Sequence, residues 1–244
     1  MAKTVIDCDI EDHIALVTMN NPPVNAQSPD FHIQMMEVFD RLSDLDEVWA
    51  IVLTGAGRIF SAGADLKARE GRANRNEPGG QWAHLRQGRE TYHCVAECRK
   101  PVIGALNGPA LGAGLAVAAS CDILIASETA SLGLPEIDVG VIGGGRHAMR
   151  LVGHSMLRRM ALTGYRAPAA ELYRLGVVEA VLPSDALLPA AMAMAAEIAK
   201  GGLERAVRAR DILNTVETMS LRDGVRYEQA MPAATPRGDA PSDR

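Results

Sequence analysis

The sequence predicts an α/β fold of buried strands alternating with helices, and three observations carry that prediction. "WAIVLTG", "KPVIGALNG" and "DILIAS" are continuous apolar runs, the pattern of strands covered on both faces. Segments of helical periodicity separate them. A strand–turn–helix pattern occurs twice, with turns of Ala and Gly in "SAGADL" and "LGAGLA". Aromatic residues make up only 4% of the 244, while Ala, Gly and Val abound, so small side chains pack in tight layers. A chain of this length buries a full core, as one large domain or one domain with a small appendage.

The elements follow in order. "HIALVTMN" alternates as a strand does and ends in the turn "NNPPVNA". In "SPDFHIQMMEVFDRLSDLDEV", Ser28 or Asp30 is placed to cap a helix carrying Phe31, Met35, Val38, Phe39 and Leu42 on one side. The buried run "WAIVLTG" leads into "AGRIFSAGADLKA", a small-residue turn toward a helix. Residues 69–82 read as a polar, Gly- and Arg-rich mobile insertion before a helix from about Leu85 to Arg99. "KPVIGALNG" is a second buried strand ended by Asn107-Gly108, "ALGAGLAVAASC" turns into a helix, and "DILIAS" is another strand. "GHSMLRRMALTG" and "APAAELYRLG" are helical and "VVEAVLP" is a short strand. The chain is then helical from Leu187 to about Arg226, and the Pro- and Ala-rich "MPAATPRGDAPSDR" reads as disordered.

Composition narrows the function classes. The net charge of −5 argues against nucleic acid as the main partner, while leaving room for an anionic ligand at a local patch. "MAKTVIDCDIEDHIALVTMN" lacks the apolar core of a signal peptide. The longest apolar stretch, "ALGAGLAVAASCDILIA", is interrupted by Ser120 and Asp122 and reads as buried core, not a membrane span. Cys8, Cys94, Cys98 and Cys121 have neither zinc-site nor disulfide-framework spacing, and no neighbouring motif lowers a thiol pKa. Cys94 and Cys98 share a helix face as buried thiols. A reducing cytoplasm is expected, with no metal and no membrane.

The chemistry concentrates in "GLPEIDVGVIGGG", residues 133–145, where Glu136 follows a proline in an apolar, glycine-rich run. A carboxylate among Leu, Ile and Val is costly to bury unless something uses it. The two Ala/Gly turns supply the other half. A helix N-terminus leaves backbone N–H groups unpaired, and small residues let a ligand approach them. Two such groups converging on one point make an oxyanion hole.

"FSAGADLKA", "KPVIGALNGPALGAGL", "CDILIAS" and "LGLPEIDVGVIGGG" occur in the order and spacing of the enoyl-CoA hydratase/isomerase (crotonase) superfamily, which the chain resembles as far as Tyr227. The resemblance implies a crotonase-like spiral of repeated ββα units with a C-terminal helical region, assembled as homotrimers or paired trimers. It divides the chain into a core over 1–186 holding the CoA and catalytic site, a helical oligomerisation region over 187–230, and a tail over 231–244. It implies that the thioester oxygen is held by the N–H groups of Ala64 and Ala113, and that Ala64, Asp65, Leu66 and Lys67 line the CoA site. Coenzyme A enters as part of the substrate, with no separate cofactor. Most relatives carry Gly at 113; Ala keeps the donor, but a positive φ there would strain it.

Hydratases of this family use two Glu residues, and the second matches Glu136. The first falls on Ala116, so one of the pair is missing. A methyl cannot hold water, and one carboxylate beside an oxyanion hole suits proton transfer, as in Δ3,Δ2-enoyl-CoA isomerases. Leu134, Ile137 and Val139 are expected to raise the Glu136 pKa by desolvation. Asp138 needs no catalytic role, and the Asp that dienoyl-CoA isomerases place eight residues after the Glu is Gly144 here. His147, beside Arg146, is a candidate acid or base, as are His84 and His93 in the helix that walls the acyl pocket in relatives. Arg58, Lys67, Arg72 and Arg75 could meet the CoA phosphates. After Tyr227-Glu228-Gln229, Pro-rich sequence stands where relatives continue a helix.

The leading expectation is thus an acyl-CoA enzyme moving a double bond. Hydration through a substitute water-binding group, or decarboxylation, hydrolysis or C–C cleavage of a CoA ester, are its alternatives. A non-catalytic acyl-CoA-binding protein is the competing class. Fatty-acid, aromatic-acid and terpenoid acyl groups all fit.

Overall fold

A computed structural model describes residues 3–65, 77–140 and 143–231. Strands β1 (Ile6–Glu11) and β2 (Ile14–Met19) form a hairpin whose turn residues Asp12 and His13 have positive φ. The two-residue strand β3 (Ala26–Gln27) precedes helix α1 (Pro29–Asp44). Ser28 is its N-cap, its Oγ accepting from the Phe31 N–H at 3.2 Å, and Phe31, Met35, Phe39 and Leu42 are buried as the periodicity predicts. Then come β4 (Ala50–Gly55), β5 (Gly63–Ala64), α2 (Gly80–Ala96), β6 (Val102–Leu106), β7 (Ala110–Leu111) and α3 (Ala113–Ala118). Strands β8 (Ile123–Ser127) and β9 (Ser131–Gly133) lead to a 3-10 turn over Pro135–Val139 and α4 (Gly145–Ala148). The rest comprises α5 (His154–Thr163), β10 (Arg166–Pro168), α6 (Ala169–Arg174), β11 (Val181–Leu182), α7 (Ser184–Ala199), α8 (Leu203–Val216) and α9 (Leu221–Ala230).

The main sheet has the order β1-β2-β4-β6-β8-β11, parallel from β2 onward. Two small sheets, β10-β9-β7 and β3-β5, stand beyond its strand ends. Alternate residues of the central strands feed two separate cores. Ala15, Val17, Ile51, Leu53, Val102 and Leu106 join Phe31, Phe39 and Leu115 on one face. Ile14, Ala50, Val52, Ile103, Ala105 and Ile125 meet Leu187, Ala191 and Ala195 of α7 on the other. Burial on both faces is why these strands read as unbroken apolar runs. Gly104 permits the tight spacing, since a Cβ there would lie 2.6 Å from Leu124 Cδ2.

Several expectations are corrected. The sequence reading omitted β1, in which only Ile6 is buried. Helix α2 starts at Gly80, so residues 80–82 belong to it rather than to an insertion, and it ends at Ala96. Residues 69–76 of that insertion lie outside the described residues, as do 232–244 of the tail. The 186/187 boundary falls inside α7, which covers the sheet and is part of the core. The long helical stretch is broken into α7, α8 and α9. Arg210 ties α8 to the core: Nε donates to Asp122 Oδ2 at 2.7 Å, Nη2 to Val95 O at 3.0 Å, and Nη1 to Cys98 O. Among the described residues, no single helix is long and apolar enough to cross a membrane.

Candidate active site

Because β2, β4, β6 and β8 are parallel, the segments that follow them all leave one edge of the sheet, the edge where open α/β sheets bind ligands. Backbone hydrogen bonds stitch these segments together. Ser61 N donates to Pro109 O at 3.3 Å, Leu111 N to Ser61 O at 2.9 Å, and Gly112 N to Gly133 O at 2.9 Å. The approach needs glycine: a Cβ at Gly114 would lie 2.2 Å from Ser61 O. Asn25, held at φ 50°, donates Nδ2 to Ile59 O at 2.7 Å and Ala56 O at 3.0 Å, fixing the loop that leads to Ala64.

The two predicted oxyanion donors are brought together by this stitching. Ala113 opens α3, so its N–H has no acceptor within the helix. Ala64 lies opposite Gln27 in the β3–β5 ladder, and the next residue, Asp65, donates its N–H to Gln27 O at 3.3 Å. Since alternate residues of a strand address the same neighbour, the Ala64 N–H points away from β3. Gly63 is the joint between the donors. A Cβ there would stand 3.0 Å from Ala113 N and 3.6 Å from Gly114 N, crowding those donors. The left-handed backbone falls on Gly112, at φ 56°, and Ala113 is helical, so the strain considered for an alanine at 113 does not arise. Asp65 is half-buried; Leu66 and Lys67 lie outside the described residues.

Glu136 comes to the same place from the 3-10 turn. Its carboxylate lies between two glycines: a Cβ at Gly112 would be 2.6 Å from Oε1, and one at Gly144 would be 3.9 Å from it. Oε2 is buried with no hydrogen-bond partner. Burial raises the Glu136 pKa above the ordinary carboxylate value, as expected. Of the expected apolar neighbours, Leu134 is buried and Ile137 is 43% exposed, and the Val139 side chain lies outside the described residues. Ala116 is 1% exposed, one turn into α3, and brings a methyl to the core.

A sequence profile of the enoyl-CoA hydratase/isomerase family matches residues 9–240. The chain belongs to this family. It is 37% identical over 238 residues to a probable enoyl-CoA hydratase of Rhizobium meliloti, covering 95% of this chain and 89% of that one. It is 34% identical to a probable mitochondrial enoyl-CoA hydratase of Dictyostelium discoideum, covering 89% of this chain and 78% of that one. Among solved structures, an enoyl-CoA hydratase of Bacillus anthracis superimposes with a TM-score of 0.87 at 31% identity, over 94% of this chain and 90% of that one. The fold is thus the crotonase α/β fold with C-terminal helices, and the protein is an acyl-CoA enzyme of that family.

The remaining candidates divide by position. Within the family's architecture His147 sits on α4, its ring edge-on to Tyr92 of α2 with centroids 5.0 Å apart. Burial lowers its pKa, helped by the neighbouring charges of His93, Arg150 and Arg146. His84 is half-buried on the first turns of α2. Asp138 is exposed and lies by Gly164, at the end of α5. Arg58 is exposed on the loop after β4, and Arg72 and Arg75 lie outside the described residues. The four cysteines are free thiols, and burial pushes Cys94 up to about 12. Sequence reasoning missed three residues. Asn25 and Gln27 flank Ala26 in the segment that pairs with β5; Gln27 is 3% exposed with neither amide atom hydrogen-bonded. The third, Tyr92, has its phenol pushed up to about 12 by burial and by the charge of Glu136. An aromatic residue on a polar helix was the available signal.

Proposed function

We propose that the protein moves the double bond of an enoyl-CoA, with Glu136 as general base and the N–H groups of Ala64 and Ala113 as the oxyanion hole. The observation that carries this reading is the buried, unpartnered Oε2 of Glu136 beside the start of α3, where position 116 contributes only a buried methyl. Hydrogen bonds from the two N–H groups to the thioester oxygen stabilise the charge that develops when a proton leaves the acyl chain; one such donor is worth about 10²–10³ in rate. Glu136, raised toward neutrality, removes the proton from C2 of a 3-enoyl-CoA. The dienolate then takes it back at C4, leaving a 2-enoyl-CoA. A homotrimer or pair of trimers in the cytoplasm belongs to the same reading, and sedimentation tests the assembly.

The test is a 3-enoyl-CoA incubated with the protein and followed by NMR. Formation of 2-enoyl-CoA without 3-hydroxyacyl-CoA supports the proposal, and its loss in Glu136→Gln assigns the base. Hydration is the second reading, favoured by the hydratase names of the relatives at 34% and 37% identity. It predicts 3-hydroxyacyl-CoA and requires a water-holding group other than residue 116. Thioester binding without turnover, indifferent to Glu136→Gln, would point instead to a binding protein.

A further inference from the structure

We propose that the cleft between α8 and the turn joining α2 to β6 is a second ligand site, taking a small organic monocarboxylate with its charged end on the Lys100 amine. The cleft has a volume of about 660 Å³. Cavities of this size suit small molecules. It lies at the edge where the parallel strands begin, since Asp46 precedes β4 and Lys100 precedes β6. Ala64, Ala113 and Glu136 gather beyond the opposite ends of those strands, so the cleft is separate from the acyl-CoA site. Its walls are held in place. Arg210 donates to Val95 O and Cys98 O, and Asn214 Nδ2 donates to Ala96 O at 3.2 Å, which ties α8 to the turn.

Lys100 is the observation that points to a ligand. It is 1% exposed, yet among the described residues none forms a hydrogen bond or ion pair with its Nζ. A lysine is almost never buried to this degree without a partner. The fully enclosed, unpartnered side-chain atoms among the described residues belong to Gln27 and Glu136, so the Lys100 amine keeps a little open surface. The space it opens on is the cleft. Burial disfavours the ammonium, helped by the Arg99 charge, while Asp46 and Asp44 act the other way. An anion at the amine supplies the missing partner. Arg210, the other buried cation of the floor, is already matched by Asp122 at 2.7 Å. The rest of the lining sets the class of ligand. Leu203, Val207 and Met231 are half-buried and form an apolar wall. At the mouth, exposed Asp46, Glu97, Glu204 and Asp211 outnumber Arg99 and the half-buried Arg208. That excess of acid repels a multiply charged anion such as a CoA phosphate more than one with a single charge and an apolar body.

The experiment titrates hexanoate into the full chain, read by calorimetry and by the proton–carbon NMR signals of labelled lysine side chains. Saturable binding should shift one lysine signal, the one that is missing from Lys100→Met. That variant keeps the apolar stem and removes an unpaired buried amine, so its denaturation midpoint should not fall. Its affinity for hexanoate should drop about tenfold or more, the worth of a hydrogen bond to a charged group. Val207→Asp, which sets a charge in the apolar wall, should weaken binding as well. Hexyl phosphate, with a second charge, should bind the wild-type protein more weakly than hexanoate does. Saturating CoA should leave hexanoate binding unchanged. Undiminished binding in the folded Lys100→Met variant, displacement by CoA, or tighter binding of hexyl phosphate overturns the inference. So does the absence of saturable binding at millimolar hexanoate.

Discussion

The Glu136 carboxylate rests against the Cα of Gly112, where a side chain would begin 2.6 Å from Oε1 and 3.1 Å from Cδ. A methyl there cannot be accommodated without moving the acid. The backbone at 112, at φ 56° and ψ −118°, also lies outside the regions open to residues with a Cβ. Gly112→Ala should therefore lower turnover of acyl-CoA by about 10²-fold, since a small misplacement of a reacting group has that effect. It should lower the unfolding free energy as well. Steady-state kinetics and denaturant unfolding of the variant check the two effects.

Glu136→Gln should lose about 10²–10⁴ of the rate if the acid is the general base. Its stability should move the other way. Burial raises the folded pKa above the unfolded value, so the folded state binds more protons between the two. Stability then falls as pH rises from the unfolded toward the folded pKa and stays low above it. The neutral amide escapes that loss. Thermal unfolding at pH 7 should show the variant more stable than wild type, with the difference shrinking in acid.

The rate itself should carry the same signature. A base with a raised pKa is protonated over a wider acid range, so the acid limb of kcat/KM should lie above the pH at which an exposed carboxylate titrates. A limb near the ordinary glutamate value would contradict the burial of Oε2.

Gln27 offers a stability test at the edge of the site. Its amide is buried with both polar atoms unpaired, a cost of about 1–3 kcal/mol per unsatisfied group. Gln27→Leu, similar in size, should raise the denaturation midpoint. Destabilisation would mean that the amide has a partner in solution.

Arg210→Met should cost about 1–3 kcal/mol, chiefly because it leaves the buried carbonyls of Val95 and Cys98 without their donor, while Asp122 is solvent-exposed. Asp122 keeps its bond from Val102 N at 2.7 Å, which limits the damage to the α8 contact. Equilibrium unfolding of the variant measures it.

Much of this was legible in the sequence because the responsible signals are local. Continuous apolar runs mark strands buried on both faces, and β4, β6 and β8 were found that way. The cap was narrowed to Ser28 or Asp30 because a capping hydroxyl or carboxylate acts within three residues, and Ser28 is the one that does so. The site motifs were legible for a related reason: glycines at the turns are demanded by close contacts, Gly63 against the backbone of Leu111 and Ala113 and Gly112 against the Glu136 carboxylate. What escaped were relations across the chain. Tyr92 meets His147 from 55 positions away, and Gln27 meets Ala64 through a two-residue ladder too short to leave a pattern. The start of α2 at Gly80 escaped because its N-cap is another glycine, Gly79, offering no side chain to read.

The placement of α7 has a consequence for how the protein is made. Strands β2, β4, β6 and β8 all precede it, yet their outer face is covered by its Leu187, Ala191 and Ala195, with Ala190, Met192, Met194 and Ile198 packed alongside. On a translating ribosome the sheet therefore emerges with one apolar face bare, and the Arg210 clasp follows later still. Until those residues clear the exit tunnel, the nascent chain presents a flat, oily surface to its surroundings. The order of the elements thus leaves this face bare until late in synthesis, when exposed apolar surface favours aggregation.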